Sequence, residues 1–381
     1  MVRAEEIVLR LNPKQFDCRI FIEQGLLEKL DEILHQFCSE KSVAIVTDSN
    51  VGPLFGDRIK KILSSGFQKV SLFEVPAGEG SKTIQSASRI CDKLAKSGVD
   101  RKTPLLALGG GVVGDLTGFV ASIYKRGLQY YQVPTTLLAQ VDSSIGGKTG
   151  VDTSWGKNQL GTFYQPRAVL IDPLALSSLP GSEVINGAAE IVKSSIVADS
   201  EMFDRLSRTH DVLAVEDLKP LIPLTCKIKA EIVSRDEKEE NLRSTLNFGH
   251  TVGHAIEASS DFSLSHGRSV ILGMVAEAWI AKELELLSKD DYETCIDLLR
   301  RFRTQIPSKK TRLIIGKRKR IAELALADKK NASGTVRMSL PEKIGKMARD
   351  EEGDYRIPVS SDLLMNSIDR VRAFISEPQA D

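Results

Sequence analysis

Three of the five histidines of this chain, His250, His254 and His266, fall within one short stretch. His250 and His254 are spaced i, i+4, which puts both rings on one face of a helix, and His266 opens the next helical pattern. With the carboxylate of Glu190, itself on a helical pattern, a three-ligand site with an open position for water or substrate can form, the donor set of a catalytic zinc. Spacing does not decide which three of these four residues serve. It is equally compatible with two of the histidines being core or capping residues. A metalloprotease is excluded, because Thr251 rather than Glu follows His250, so no H-E-x-x-H is present.

Gly109-Gly110-Gly111-Val112-Val113-Gly114-Asp115 fits G-x-G-x-x-G after an apolar run, where backbone without side chains can approach a pyrophosphate at a helix N-terminus. The acidic partner usual about 20 residues further on is missing, since Gln129 to Thr136 read QYYQVPTT. An ordinary single-motif dinucleotide site is therefore not indicated, although Asp48, closing an earlier strand, can hold an adenosine ribose; a plain glycine turn is the competing reading. Asp142 to Thr149 (DSSIGGKT) looks like the tail of a P-loop, but Asp142 stands where its first glycine belongs, which disfavours ATP. What remains is a glycine turn presenting Lys148, and a second Gly-Lys setting at Gly156-Lys157-Asn158. Two such lysines suit a small anionic substrate, because an ammonium near phosphate makes charge-assisted hydrogen bonds.

The elements around these residues read as α/β. Apolar, β-branched runs at Ser42 to Thr47, Val70 to Val75, Leu105 to Leu108, Tyr130 to Val133 and Ala168 to Ile171 alternate with amphipathic stretches such as Thr83 to Lys96. This predicts βαβ units and a mainly parallel sheet with ligands at the carboxyl ends of its strands. The breakers from Asp172-Pro173 to Gly181 mark a boundary, and beyond them the period is helical: Glu183 to Val197, Leu218 to Val233, Ser244 to Ala258, Val270 to Leu286. Short strands are expected at Gly334 to Leu340 and Tyr355 to Ser360. With 381 residues one core is unlikely to suffice, so the expectation is a Rossmann-like α/β domain over residues 1–179 and a mainly helical metal- and substrate-binding domain over 180–381.

Charge balance, 52 Lys plus Arg against 51 Asp plus Glu, argues against a general nucleic-acid binder, and the basic run Lys317 to Arg320 reads as solvated surface. Five scattered cysteines, Cys18, Cys38, Cys91, Cys226 and Cys295, with no C-x-x-C, give neither a disulfide framework nor a thiolate zinc site. Met1 to Phe16 lacks a signal-type apolar core and no stretch has the length of a membrane span, so a cytoplasmic address is expected.

Taken together and in this order, GGGVVGD (109–115), VPTTLLAQVDSSIGGK (133–148), GKN (156–158), GAAEIVK (187–193), LRSTLNFGHTVGHAIE (242–257), His266-Gly267 and DKKN (328–331) resemble the 3-dehydroquinate synthase family, over about Thr47 to Gly345. The resemblance implies a homodimeric lyase of the shikimate pathway that uses NAD and Zn2+ or Co2+. It would convert 3-deoxy-D-arabino-heptulosonate 7-phosphate into 3-dehydroquinate and phosphate, by oxidation, phosphate elimination, re-reduction and aldol closure. It implies Glu190, His250 and His266 as metal ligands, with His254 moved to the phosphate side. Asp142, Lys148, Lys193, Lys229, Arg243, Asn247 and His254 are implied as catalytic residues; Lys157, Asn158, Glu239 and Lys329 as substrate-binding, with Arg126 reaching across the dimer. For the cofactor it implies Asp48, Asn50, Glu79, Lys82, Gly111, Gly114, Asp115, Thr135 and Thr136, with Lys148 and Lys157. Arg243 is matched to the substrate carboxylate. Arg268 departs from the family, which usually has Glu there, a charge reversal two residues from a metal ligand. The rival readings are cyclases resembling 2-epi-5-epi-valiolone synthase or 2-deoxy-scyllo-inosose synthase, whose sugar phosphates have no carboxylate; a polyol dehydrogenase resembling glycerol dehydrogenase, which would release NADH; and a non-catalytic binding protein.

Overall fold

The computed structural model describes residues 17–328 and 335–377. Met1 to Phe16 and Lys329 lie outside the described residues, as does Gly334, the first residue of an expected strand. Strands β1 (Arg19–Ile22), β2 (Ser42–Asp48), β3 (Lys69–Val75), β4 (Leu105–Gly109) and β5 (Tyr130–Pro134) are followed by a hairpin, β6 (Lys148–Thr153) and β7 (Gly156–Phe163), and then by β8 (Ala168–Ile171). Helices α1 (Leu30–His35), α2 (Asp57–Leu63), α3 (Ile84–Lys96) and α4 (Gly111–Ile123) connect them. Six strands form one sheet in the order β1-β8-β5-β4-β2-β3, parallel throughout. Every residue of β4, β5 and β8 is buried, as expected where helices cover both faces of a parallel sheet. Leu106 and Leu108 of β4 pack with α1 and α2 on one face, Leu105 and Ala107 with α3 and α4 on the other. The strand order reverses between β2 and β4, and there the loops after Asp48 and Gly109 meet, the usual position of a ligand crevice.

The chain then becomes helical: α5 (Gly181–Ala198), α6 (Ser200–Arg208), α7 (Val215–Leu218), α8 (Ile222–Arg235), α9 (His250–Ser259), α10 (His266–Glu283), α11 (Lys289–Arg300), α12 (Ser308–Ile315), α13 (Arg318–Asp328) and α14 (Ser361–Ser376). β9 (Thr335–Ser339), the small hairpin of β10 (Pro341–Lys343) and β11 (Lys346–Met347), and β12 (Arg356–Ser360) fall between α13 and α14. The antiparallel β9–β12 pair is the expected C-terminal strand pair. All five cysteines are free thiols. No helix of the described residues is long and apolar enough to cross a membrane.

Local expectations are corrected at four places. Ser244 to Ala258 is not one helix: a short 3-10 turn over Leu242–Asn247 ends at Gly249, whose φ of +77° is left-handed, and α9 starts afresh at His250. The helix expected from Leu218 starts later, because Pro223 sits in the first turn of α8, the position that tolerates a missing N–H. Residues 148–163 form a hairpin that polar and glycine residues had hidden. Among the basic run, Arg318 is not simply solvated, since its guanidinium pairs with Asp369 at 3.0 Å and ties α13 to α14.

Candidate active site

Glu190 lies mid-way along α5 and is 1% exposed. His250 is the first residue of α9 and His266 the first of α10. The ligand atoms of these three lie within 4.8 Å of one another, and both Nε2 atoms face Glu190 Oε1, at 3.4 Å from His250 and 3.3 Å from His266. The opposite ring nitrogens are engaged elsewhere. His250 Nδ1 is 3.2 Å from the Phe248 carbonyl oxygen, and His266 Nδ1 is 3.4 Å from Glu257 Oε2. An acceptor behind each Nδ1 is what a ligating imidazole uses to keep a proton there while its Nε2 gives a lone pair to a cation, and a cation bound between the rings and Glu190 would take the place of the protons that Nε2 otherwise shares with that carboxylate. Glu190 Oε2, buried, is paired with the Lys193 ammonium, which leaves Oε1 turned toward the two rings. Donor identity, burial and the acceptors behind both rings therefore fit a divalent cation of the zinc or cobalt kind.

His254, Glu257 and His266 form an overlapping group within 4.8 Å, so the i, i+4 histidines are neighbours, with ring centroids 5.1 Å apart. Glu257 is already committed, to His266 and to Lys157 Nζ at 2.9 Å. That favours Glu190 over Glu257 as the carboxylate ligand. The charges agree: burial pushes Glu257 up, but His266 and Lys157 outweigh it and hold it down at about 2. Burial likewise pulls His266 down, yet the Glu190 and Glu257 carboxylates push it up to about 9. Glu190 is held well below the ordinary carboxylate value by Lys193 and His250 despite its burial.

Close helix approach sets these positions. A Cβ on Gly267 would lie 2.5 Å from the Ile185 carbonyl oxygen, so only glycine lets α10 touch α5 beside His266. There the Gly267 N–H donates to Asn186 Oδ1 at 2.9 Å. Asn186 and Glu257 are site residues that motif reading missed. The signal for Glu257 was a charged residue one turn after His254 on the same face of an otherwise apolar helix.

Next to the three ligand candidates lies a group of cations. Lys229 Nζ on α8 donates to Asp142 Oδ1 at 2.6 Å and to the Asp142 carbonyl at 2.8 Å. Lys193 Nζ is 4.0 Å from the same carboxylate. Asp142 thus sits between two lysines, and they hold its carboxyl down although burial opposes it. Arg243, 3% exposed, is packed against Gly146, where a Cβ would lie 2.4 Å from its Nη2 and φ is +106°, two independent reasons for glycine in that turn. Lys148 pairs with Glu239, which also accepts from Asn247 Nδ2. Partial desolvation first, then the charges of Arg243 and Lys229, pull the Lys148 amine down to about 8, with Asp142 opposing them. Asp142, Lys148, Lys193, Lys229, Glu239, Arg243 and Asn247 form one connected cluster, and Lys193 joins it to Glu190.

On the nucleotide side, the Gly109–Asp115 turn leads from β4 into α4 as expected. A Cβ on Gly114 would lie 2.7 Å from Gln132 Oε1, and one on Gly111 would be a tight 3.0 Å from Ser143 Oγ. Thr135, beside that turn, has a buried hydroxyl with no partner. Asp48 Oδ1 accepts from the Asn50 and Val51 amides at 2.8 and 2.9 Å, so one of its oxygens braces its own loop. Lys82, buried, donates to Asp115 Oδ2 at 2.5 Å and to Asn158 Oδ1 at 2.6 Å. Asn158 therefore stands with the cofactor residues rather than with Asn247. Glu79 opens the short turn before Lys82, and burial raises its carboxyl although Lys82 and Lys157 pull it down. Thr136 Oγ1 accepts from the Ala139 N–H and fixes the start of the turn that presents Asp142. Arg126 does not join this cluster. It precedes β5, at the amino edge of the sheet, whereas the site lies beyond the carboxyl edge. Lys329 is outside the described residues.

Arg268 points away from the ligands: its Nε donates to the Gln305 carbonyl at 2.6 Å and its Nη1 to Ser265 Oγ at 2.9 Å.

Residues 72–186 match the profile of the 3-dehydroquinate synthase N-terminal family and residues 187–331 that of the C-terminal family. The chain belongs to the 3-dehydroquinate synthase family. It is 41% identical over 348 residues to 3-dehydroquinate synthase of Thermodesulfovibrio yellowstonii, spanning 90% of this chain and 95% of that one. With that of Enterococcus faecalis it shares 41% over 327 residues, 85% and 90% of the two chains. Among solved structures, 2-deoxy-scyllo-inosose synthase, crystallised with carbaglucose-6-phosphate, NAD+ and Co2+, superposes with a TM-score of 0.82 at 25% identity, covering 93% of this chain and 96% of that one. The 2-epi-5-epi-valiolone synthase of Streptomyces hygroscopicus, with NAD+ and Zn2+ bound, gives 0.79 at 26% identity, covering 96% and 99%. A probable glycerol dehydrogenase from Sinorhizobium meliloti, at 15% identity and a TM-score of 0.62, shares the fold only.

Proposed function

We propose that this chain is a 3-dehydroquinate synthase in the full sense, a phosphate-eliminating carbon–oxygen lyase acting on 3-deoxy-D-arabino-heptulosonate 7-phosphate, with NAD and Zn2+ or Co2+ as cofactors. The observation that carries the reading is a single connected cluster: Glu190, His250 and His266 presenting ligand atoms to one point, and Arg243, Lys148, Lys229 and Lys193 beside them around Asp142. A polyol dehydrogenase has no use for so many cations, whereas a substrate carrying both a carboxylate and a phosphate does.

Glu190, His250 and His266 would hold the divalent ion, which when bound polarises a substrate hydroxyl, and NAD supplies reversible oxidation of that carbon. The chain's own residues do the rest. Lys148, Asn247, His254 and Lys329 are assigned to the phosphate and Arg243 to the carboxylate, while Asn158, whose side chain accepts from Lys82, goes with the cofactor residues. Asp142, Lys193 and Lys229 orient the hydroxyls near the ligand triad. Asp142 is held as a carboxylate by its two lysines, so it can accept a hydroxyl hydrogen bond and lower the barrier to removing that proton. The ammonium of Lys148 provides charge-assisted hydrogen bonds to a departing phosphate. Asp48, Asn50, Glu79, Lys82, Gly111, Gly114, Asp115, Thr135, Thr136 and Lys157 are assigned to NAD. A helical domain from residue 180 closing on the α/β domain of residues 1–179 would exclude water from an exposed intermediate. The reading also carries a cytoplasmic homodimer in which Arg126 serves the partner's site, consistent with its place at the far edge of the sheet. Incubation with heptulosonate phosphate, NAD and zinc should release phosphate and form 3-dehydroquinate. Turnover of a carboxylate-free sugar phosphate in its place would move the assignment to the other cyclases.

A further inference from the structure

Glu277 belongs to no motif. It lies about three turns after His266 on α10, with 0% exposure. A carboxylate there is expensive to bury unless it is hydrogen-bonded, and its partners are specific. Oε2 accepts from the Gly249 N–H at 2.6 Å and Oε1 from the Val252 N–H at 2.9 Å. These are donors at the start of α9, where a helix has no intrahelical acceptors, and they flank His250. The N-cap residue of α9 is Gly249, which has no side chain to do this.

The surrounding geometry leaves α9 little freedom. A Cβ on Gly249 would sit 2.5 Å from Met274 Cγ, and one on Gly273 would sit 1.9 Å from the Gly249 carbonyl oxygen. The left-handed φ of Gly249 turns the chain so that His250, and not a residue of the preceding 3-10 turn, is the first of the helix. The start of α9 is therefore pressed onto the backbone of α10, and Glu277 clamps it there from the opposite helix. His266 stands on that same helix α10. The clamp thus connects the two histidines through one rigid element.

We propose that Glu277 is a positioning residue for the metal centre: by holding the Gly249 and Val252 amides it sets where the His250 imidazole stands relative to His266. The inference rests on the reading that Glu190, His250 and His266 hold the ion. Glu277→Gln keeps size and shape but turns one acceptor into a donor facing an N–H, so one of the two bonds is lost. The metal-stripped proteins are titrated with Co2+, read by its ligand-field absorption, and with Zn2+ in competition with a chromophoric chelator; thermal melts of the metal-free forms run alongside. Glu277→Gln should bind both ions about 10- to 100-fold more weakly, the usual scale for groups behind metal ligands, with an altered Co2+ spectrum and a cooperative metal-free melt. If Glu277→Gln does not melt cooperatively, Glu277→Asp, which keeps the charge but falls short by one methylene, is held to the same measure. Affinities within twofold of wild type, whatever the melting temperature, overturn the positioning role and leave a purely structural cap. His250→Ala separates the two layers: if it binds metal as tightly as wild type, the ligand assignment itself has failed.

Discussion

Arg243→Ala removes a guanidinium that is 3% exposed and locked between Gly146 and the Glu237 carbonyl. An anion seated against it would lose a bidentate partner in a desolvated place. Truncating one side of a buried charged pair costs about 2 to 5 kcal/mol. At about 1.4 kcal/mol per tenfold, that is roughly 30-fold to several thousand-fold in kcat/KM. The structure points to the lower half of this range, because Lys148 and Lys229 border the vacated space and both are relieved of a cationic neighbour. A loss on the order of a hundredfold is expected with heptulosonate phosphate, and little change with a seven-carbon sugar phosphate lacking the carboxylate. Gly146→Ala perturbs the same group without touching its charge: the new Cβ would lie 2.4 Å from Nη2 at a φ of +106°, so the guanidinium must move and the heptulosonate reaction should weaken selectively. Steady-state kinetics on both substrates is the assay. Equal losses on both would refute the pairing of Arg243 with a carboxylate.

Further outcomes follow from the same geometry. Chelation should abolish turnover and zinc or cobalt restore it, and His250→Ala should stay inactive with either metal; full activity in a metal-free preparation would contradict the site. In its proposed role Lys148 holds phosphate as an ammonium, and with its amine pulled down to about 8 the protonated form is lost as pH rises through that value. KM for the phosphorylated substrate should therefore climb above about pH 8 instead of staying flat to about 10, where an ordinary lysine titrates, and Lys148→Arg should remove the climb; a flat wild-type profile would contradict the assigned environment. Arg268→Glu loses its bonds to Gln305 and Ser265 but places an acidic residue in the first turn of α10, worth about 0.3 to 1 kcal/mol. The two effects oppose each other, so kcat/KM should change by less than about threefold. A many-fold rise would show that the substitution has altered the chemistry.

Five of the six sheet strands were legible, because β2, β4, β5 and β8 are buried apolar, β-branched runs and β3 lies beside them in the same pattern; β1, four residues long and only partly buried, was not read from the sequence. The glycine turn after β4 was legible for the same local reason. The start of α9 was not. Its position depends on a left-handed glycine and on Glu277, a hydrogen-bond partner from a different helix, and no local pattern carries that information. The choice among Glu190, His250, His254 and His266 was undecidable from spacing because His250 and His254 do share a face; what favours Glu190 over Glu257 is that Lys157, arriving from the β6–β7 hairpin, engages Glu257. The hairpin itself was hidden by its polar and glycine content. Asn158 shows the converse limit, where a motif match gave the residue but not its neighbours, since its side chain meets Lys82.

The measurement that bears most directly on the proposed reaction follows phosphate and the NADH absorption band together in one reaction, with the enzyme, zinc, heptulosonate phosphate and NAD well below the substrate concentration. Because oxidation and re-reduction fall within one turnover, many phosphates should be released per NAD with no net growth of the NADH band. Phosphate release that stops when NAD is exhausted, or NADH accumulating in step with substrate loss, would contradict the account and indicate a dehydrogenase.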